Sequence, residues 1–289
     1  MLTMRKEARS RLVREALVCL ATVTSLLGCT AAGQSIEVPL TIRDNFPVVV
    51  IQINGNNVPV VLDTGNSASV TLSKEVLDLA KATPIGETSK GMDAKGNIIQ
   101  SPKFKISSLK IGAAIFTDVI AELDVHDPSY QATQVGQQGF LGTTLLKAYR
   151  VVLDYPHRRM TLLPRSSAAD RSPDCEGTIV PFSPEWHGEP ATVVETDLGR
   201  LIMWWDTGTP TSVLSKRFVQ NTAINPSLEK VTSKRIILAN TDFGPWQFEI
   251  WEMSLPPGFD GFIGYDFFAN HVVCMDFPSN RLLVQKSKE

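Results

Sequence analysis

The sequence predicts a mainly β protein with two similar halves. Apolar runs are short, rich in β-branched residues and separated by Gly, Pro or Asn. The chain of 289 residues is long enough for two modest domains. An Asp-Thr-Gly motif occurs twice in matching surroundings, beginning at Asp63 and at Asp206. The repetition indicates a duplicated half-site, to which each half contributes one carboxylate.

Each motif follows a predicted β-hairpin. In the first half, two β-rich runs within residues 47–62 flank a turn that contains Gly55. In the second half, residues 190–205 repeat this pattern around Gly199. The return strand of each hairpin is therefore expected to end at the aspartate.

Three further landmarks follow each motif in the same order. They are a serine that is expected to cap a short helix, an apolar-apolar-Gly segment, and an Asp-containing turn before a last strand. These landmarks are Ser73, Gly142 and Asp154 in the first half, and Ser215, Gly264 and Asp276 in the second.

Together these residues resemble the pepsin and retropepsin superfamily of aspartic peptidases. The resemblance covers roughly residues 36–286, nearly all of the chain after its N-terminal segment. A single Asp-Thr-Gly would be a weak signal because Asp and Gly are common in turns, but the pair with both later glycines is specific. It implies two pseudo-symmetric acid-protease β-barrel lobes with a cleft between them, in which Gly142 and Gly264 pass beneath the Asp loops.

The resemblance assigns catalysis to Asp63 and Asp206. Two carboxylates at hydrogen-bonding distance share one proton and can activate water, one as base and the other as acid, without a cofactor. The flanking threonines would hydrogen-bond to the opposite loop, the glycines would let amides approach the carboxylates, and a further hydroxyl would bond to its own Asp. These supporting residues are Thr64, Gly65, Thr207, Gly208 and Thr209.

Two residues depart from the family pattern. Asn66 stands where the first lobe usually carries Ser, Thr or Ala, and its amide could donate a similar hydrogen bond or its bulk could rearrange the loop. Trp205 replaces a smaller apolar residue before Asp206, with Trp204 on the other face of the strand. Either tryptophan is expected to fill the interface between the lobes or to form a substrate wall.

A flap over the cleft is predicted in the first half, at residues 90–97, where two glycines permit a mobile hairpin tip. The alternative is an ordinary surface hairpin. The corresponding segment of the second half, residues 238–246, is stiffened by Pro245, so one working flap is expected. The expected flap residues in contact with substrate are Gly91, Met92, Asp93, Ala94 and Gly96.

Residues 1–28 are predicted to be a signal peptide, since a basic stretch precedes a short apolar one. Cys29 follows a lipobox-like sequence, which predicts lipidation and an outer-membrane anchor in the periplasm; simple cleavage near residues 31–33 is the alternative. The expected domains are an N-terminal lobe at 35–165, a linker at 166–175 and a C-terminal lobe at 176–289.

Charge and side-chain spacing exclude other classes of function. Removing residues 1–28 changes the formal charge from −2 to −5, which argues against a nucleic-acid partner. The four histidines lack metal-binding spacing, so no metal is expected. Cys175 and Cys274 could form a disulfide in an oxidising compartment, or Cys274 could be a reduced core residue.

The sequence therefore predicts a monomeric aspartic endopeptidase of the bacterial envelope that acts on peptides or proteins in extended conformation. The monomer is expected because one chain carries both aspartates. The alternatives are an inactive peptide-binding pseudoprotease and an envelope scaffold lipoprotein.

Overall fold

The computed structural model describes residues 34–93, 96–126, 138–164, 175–182 and 189–286. Strands predominate in these residues, as predicted. The strands are β1 Ile36–Pro39, β2 Thr41–Arg43, β3 Phe46–Ile53, β4 Asn56–Leu62, β5 Val70–Leu72, β6 Thr83–Met92, β7 Ile98–Ile111, β8 Ala114–Leu123, β9 Gly139–Leu141, β10 Tyr149–Asp154, β11 Arg159–Pro164, β12 Thr178–Pro181, β13 Ala191–Thr196, β14 Gly199–Trp205, β15 Val213–Ser215, β16 Lys230–Ser233, β17 Ile236–Leu238, β18 Thr241–Asp242, β19 Trp246–Trp251, β20 Gly261–Ile263, β21 His271–Asp276 and β22 Arg281–Lys286. The short helices are α1 Lys74–Leu79, α2 Thr143–Leu146, α3 Lys216–Gln220 and α4 Tyr265–Phe268, with a 3₁₀ turn at Phe277–Ser279.

The first lobe is built on an eight-stranded sheet with the strand order β2-β3-β4-β9-β5-β8-β7-β6. Its β3–β4 hairpin turns at Asn54 and Gly55, which both adopt positive φ angles, 48° and 88°. Such angles suit a tight two-residue turn and favour Asn and Gly. The predicted hairpin is thus present, and β4 ends directly before Asp63.

The second lobe repeats this plan in an eight-stranded sheet with the order β16-β19-β15-β20-β14-β13-β17-β18. The β13–β14 hairpin pairs Thr196 with Gly199, and β14 ends directly before Asp206. The predicted helix caps are also present: the side chain of Ser73 accepts from the amide of Val76, and Ser215 accepts from Phe218.

A third sheet joins the two halves. Its six strands lie in the order β1-β11-β10-β21-β22-β12, and the central pair, β10 and β21, is antiparallel. One apolar core runs beneath all three sheets and includes Leu62 and Leu153 from the first half and Trp205 and Met275 from the second. Because the core is continuous, it can hold the two Asp-Thr-Gly loops at a fixed separation.

The predicted linker lies outside the described residues, apart from Cys175. Among the residues that the structure describes, no helix is both long and apolar enough to span a membrane.

Candidate active site

Asp63 and Asp206 are positioned by the same local topology in each half. β4 pairs in parallel with β9, and β14 pairs in parallel with β20. The amide of Asp63 donates to the carbonyl of Leu141 at 2.9 Å, and the amide of Asp206 donates to Ile263 at 2.9 Å. Each aspartate is therefore held at a strand end by the strand that leads into the later glycine.

The two motifs are tied together by reciprocal hydrogen bonds between Thr64 and Thr207, which are both fully buried. Each backbone amide donates to the other threonine's hydroxyl at 3.0 Å. The hydroxyl of Thr64 also donates to the carbonyl of Trp205, and that of Thr207 donates to Leu62, both at 2.6 Å. These four bonds use the backbone amide and the hydroxyl of both threonines as donors, and they fix the position of one loop relative to the other.

The glycines show that the carboxylates face each other. A Cβ on Gly65 would lie 2.8 Å from the carboxyl carbon of Asp206, and a Cβ on Gly208 would lie 2.6 Å from Oδ1 of Asp63. Each loop therefore passes directly over the opposite carboxylate, at a distance that only a residue without a side chain allows. The two carboxylates, called here the aspartate pair, lie within hydrogen-bonding reach of each other.

The pair is not symmetric in its donors. Asp206 accepts from the amide of Gly208 at 2.8 Å and from the hydroxyl of Thr209 at 2.5 Å. Asp63 accepts from the amide of Gly65 at 3.0 Å. Asn66 does not donate to Asp63 as Thr209 donates to Asp206. Its amide nitrogen donates to Thr71 at 3.0 Å, and its oxygen accepts from the amide of Ala68.

This difference in donors determines how the pair titrates. Burial raises the pKa of Asp63 well above its ordinary value, and the charge of Asp206 and their mutual hydrogen bond raise it further. Burial also raises the pKa of Asp206, but the bonds from Thr209 and Gly208 oppose the rise. The shared proton therefore belongs on Asp63, and the negative charge on Asp206.

Gly142 and Gly264 lie beneath the loops, as expected. A Cβ on Gly142 would lie 2.3 Å from the carbonyl oxygen of Ala68, and one on Gly264 would lie 2.2 Å from that of Thr211. The next residues complete the contact, since the amides of Thr143 and Tyr265 donate to carbonyls of the loops above.

The two tryptophans have different surroundings. Trp205 is fully buried, packs edge-on against Phe267 and donates from its indole nitrogen to Thr192 at 2.8 Å. Trp204 is partly exposed and lies at 4.3 Å, between ring centroids, from Phe259 in a separate cluster. Trp205 is thus a core residue that supports the strand leading to Asp206.

The predicted flap is the β6–β7 hairpin. Met92 pairs with Ile98, and both side chains are exposed, at 44% and 67%. Near the tip, the amide of Gly96 donates to the carbonyl of Asp93 at 2.9 Å. Gly96 has a φ of +87°, and a Cβ there would lie 2.6 Å from Cβ of Ser254 in the second lobe. The hairpin therefore reaches across to the opposite lobe; Gly91 lies farther down β6, and Ala94 lies outside the described residues.

Two predicted cysteine features have different outcomes. Cys175 and Cys274 form a disulfide with a Cα–Cα distance of 5.3 Å. Of the two predicted states of Cys274, the structure thus has the disulfide and not the reduced core residue. Cys29, the predicted lipidation site, lies outside the described residues.

Glu189 was missed by the sequence analysis. It is 9% exposed, burial and the charge of Asp206 raise its pKa, and its own charge adds to the rise that burial causes in the pKa of Asp63. Laying the halves side by side could have revealed it, because Glu189 stands at the same distance before Asp206 as Phe46 stands before Asp63. Tyr155 was also missed; its buried phenol lies near the pair, and burial raises its pKa well above the ordinary value.

Comparisons with known proteins agree with this geometry. The family described as aspartyl protease matches residues 49–145. Among solved structures, the aspartic proteinase from Irpex lacteus matches with a TM-score of 0.57 and 9% identity, over 88% of this chain and 98% of that one. No curated protein matches the sequence. These findings confirm the predicted resemblance to the aspartic peptidase superfamily. They also confirm the two-lobed, mainly β fold.

Proposed function

We propose that this protein is an aspartic endopeptidase that hydrolyses peptide bonds with a water molecule activated between Asp63 and Asp206. The observation that carries the proposal is the mutual approach of the two carboxylates, each covered by the glycine of the opposite loop. The family match and the fold support an aspartic peptidase; the endopeptidase activity is the proposal.

The asymmetry of the pair assigns a role to each acid. Asp206, whose charge is stabilised by two donors, takes a proton from the water as its oxygen attacks the scissile carbonyl carbon. Asp63 gives its proton to the carbonyl oxygen, which yields a neutral tetrahedral diol. Asp206 then protonates the leaving nitrogen, Asp63 takes a proton from one diol hydroxyl, and the C–N bond breaks. The pair ends with the proton arrangement with which it began.

The proposed substrate is an extended peptide that lies between the aspartate pair and the β6–β7 hairpin. Met92 and Ile98 provide exposed apolar surface on this hairpin. Contact between Gly96 and Ser254 would close the hairpin over the bound chain. Exposed apolar groups of this kind favour apolar side chains near the cleaved bond.

The proposed location is the bacterial cell envelope, with export by the N-terminal segment and an anchor at Cys29. The disulfide between Cys175 and Cys274 supports export, because disulfides persist in oxidising compartments. One chain supplies both acids, so the proposed active form is a monomer.

The test is digestion of a diverse peptide library by the purified domain from pH 3 to 8, with and without pepstatin. Asp206→Asn and Asp63→Asn should each reduce kcat by at least about 1000-fold, because either change removes one of the two proton transfers. Asp44→Asn is the matched control, since Asp44 is exposed and its positive φ suits Asn. Binding of peptides without cleavage by the folded wild-type protein would reject the endopeptidase and favour the peptide-binding pseudoprotease.

A further inference from the structure

Glu189 lies beside the aspartate pair on the second lobe only. The β13–β14 register pairs Ala191 with Trp204, and the amide of Trp205 donates to the carbonyl of Pro190 at 2.8 Å. One further step in this register sets Glu189 opposite Asp206. Opposed residues in an antiparallel pair have Cβ atoms about 5 Å apart on the same face.

The equivalent place in the first lobe is apolar. There the β3–β4 register pairs Val48 with Val61, and its continuation sets Phe46 opposite Asp63. Phe46 is 1% exposed and packs with Val61 and Phe140. An acid at the second-lobe position is therefore not required by the fold.

The Glu189 side chain is almost buried. It is 9% exposed, and within the part of the chain that the structure describes no donor bonds to its carboxylate. The ionisable groups that act on it there are Asp206 and Lys147, and Glu189 acts in turn on Asp63. Burial makes the charged form of a carboxylate unfavourable, so the neighbours of Glu189 decide when it ionises.

We propose that Glu189 is a third acid of the site, a positioning residue whose charge keeps the shared proton on the aspartate pair as the pH rises. This inference rests on the proposed function. Burial and the charge of Asp206 raise the pKa of Glu189 to about 7, and Lys147 opposes the rise. Below neutral pH Glu189 is uncharged and leaves the pair unaffected; above it, its charge repels the second negative charge that the pair would acquire on losing its last proton.

The test compares the pH profiles of kcat/KM for the wild type, Glu189→Gln and Glu195→Gln, with one cleaved peptide from the library. Glu195 is a matched control because it lies on β13, the strand that follows Glu189, is exposed, and loses the same charge far from the pair. In Glu189→Gln the alkaline limb should move to lower pH by about one unit, while the acid limb stays in place. Glu195→Gln should leave both limbs unchanged.

Two results would overturn the inference: an unchanged alkaline limb in Glu189→Gln, or an equal loss of activity at every pH, which would indicate a structural role. If the wild type cleaves no peptide, the endopeptidase proposal fails separately. Titration of the ¹³C-labelled aspartate carboxyls by NMR then decides, since Glu189→Gln should lower the upper apparent pKa of the pair. An unchanged value would reject the inference.

Discussion

At the scale of single residues, Thr209 distinguishes the two aspartates. Its hydroxyl donates to Asp206, whereas the first loop carries Asn66, whose side chain bonds away from Asp63. A donor to a carboxylate stabilises the charged form and lowers the pKa. A single hydroxyl thus favours the negative charge on Asp206 over Asp63.

Removal of this hydroxyl should change the acid limb of the pH profile. In Thr209→Val, the pKa of Asp206 rises because a donor is lost, so the active singly charged pair forms at higher pH. The acid limb of kcat/KM should move upward by about one pH unit, while Thr209→Ser should keep the wild-type profile. A Val variant with an unshifted acid limb would contradict the assignment of the charge to Asp206.

Glu189 should also make stability depend on pH. Its pKa is about 7 in the folded protein, against an ordinary value of 4.5. As the pH rises between these values, the side chain loses its proton in the unfolded chain before it does so in the folded protein, so the free energy of unfolding falls. Above pH 7 the free energy of unfolding has fallen by the full amount, about 3 kcal/mol. Glu189→Gln should therefore be more stable than the wild type at pH 8 by up to about 3 kcal/mol, and equal to it at pH 4.

Urea unfolding at both pH values measures this difference, with Glu195→Gln as the control for charge loss alone. A gain in stability of the same size at pH 4 and pH 8 would show that side-chain packing, and not ionisation, is responsible.

The sequence predicted the site residues unevenly. Asp63 and Asp206 were found because their motif recurs in order with other landmarks. The bonding of Asn66 could not be predicted, because an amide next to a turn has several local partners of similar energy. Glu189 carries no motif, and its role arises from a strand register that places it opposite Asp206.

At the scale of elements, the β6–β7 hairpin connects the two lobes through its tip. The positive φ of Gly96 and its approach to Ser254 leave no room for a side chain. Gly91 lies on β6 without a positive φ, and a Cβ there would meet Ile99 side-chain atoms at 3.3 Å and beyond.

Gly96→Ala should consequently raise KM by about tenfold with a smaller effect on kcat, because the strained tip no longer seats against the second lobe. Gly91→Ala is the matched control and should keep KM within about twofold, since the Ile99 side chain can shift. Steady-state kinetics of both variants on one peptide measure the effect. Equal behaviour of the two variants would exclude a role for the tip contact.

Local elements were predicted better than their long-range pairing. The hairpins and the capping serines follow from turn residues and apolar periodicity within short segments. The six-stranded sheet could not be predicted in this way, because it pairs strands separated by more than a hundred residues, such as β10 with β21. Such pairing depends on how the whole chain folds back on itself.

At the scale of the whole molecule, the disulfide closes a long segment of the second half, with a sequence separation of 99. A crosslink across a loop of this length reduces the entropy of the unfolded chain and stabilises the fold by about 4 kcal/mol. The double variant Cys175→Ala/Cys274→Ala should therefore have a lower Tm than the oxidised wild type. Reductant should lower the Tm of the wild type and leave that of the variant unchanged; a wild type insensitive to full reduction would contradict this account.

The β10–β21 pair has one further consequence. Arg150 lies opposite Asp276, and Asp154 lies opposite Val272. Asp154 is the first-half counterpart of Asp276, and Val272 is the second-half counterpart of Arg150. Each half therefore presents the same strand to the other in the same way, which is the isologous contact of a twofold-symmetric homodimer. The covalent link between the halves acts as a tether that raises their effective concentration. Expressed as separate polypeptides, the halves should reassociate through this strand pair, with one acid supplied by each subunit.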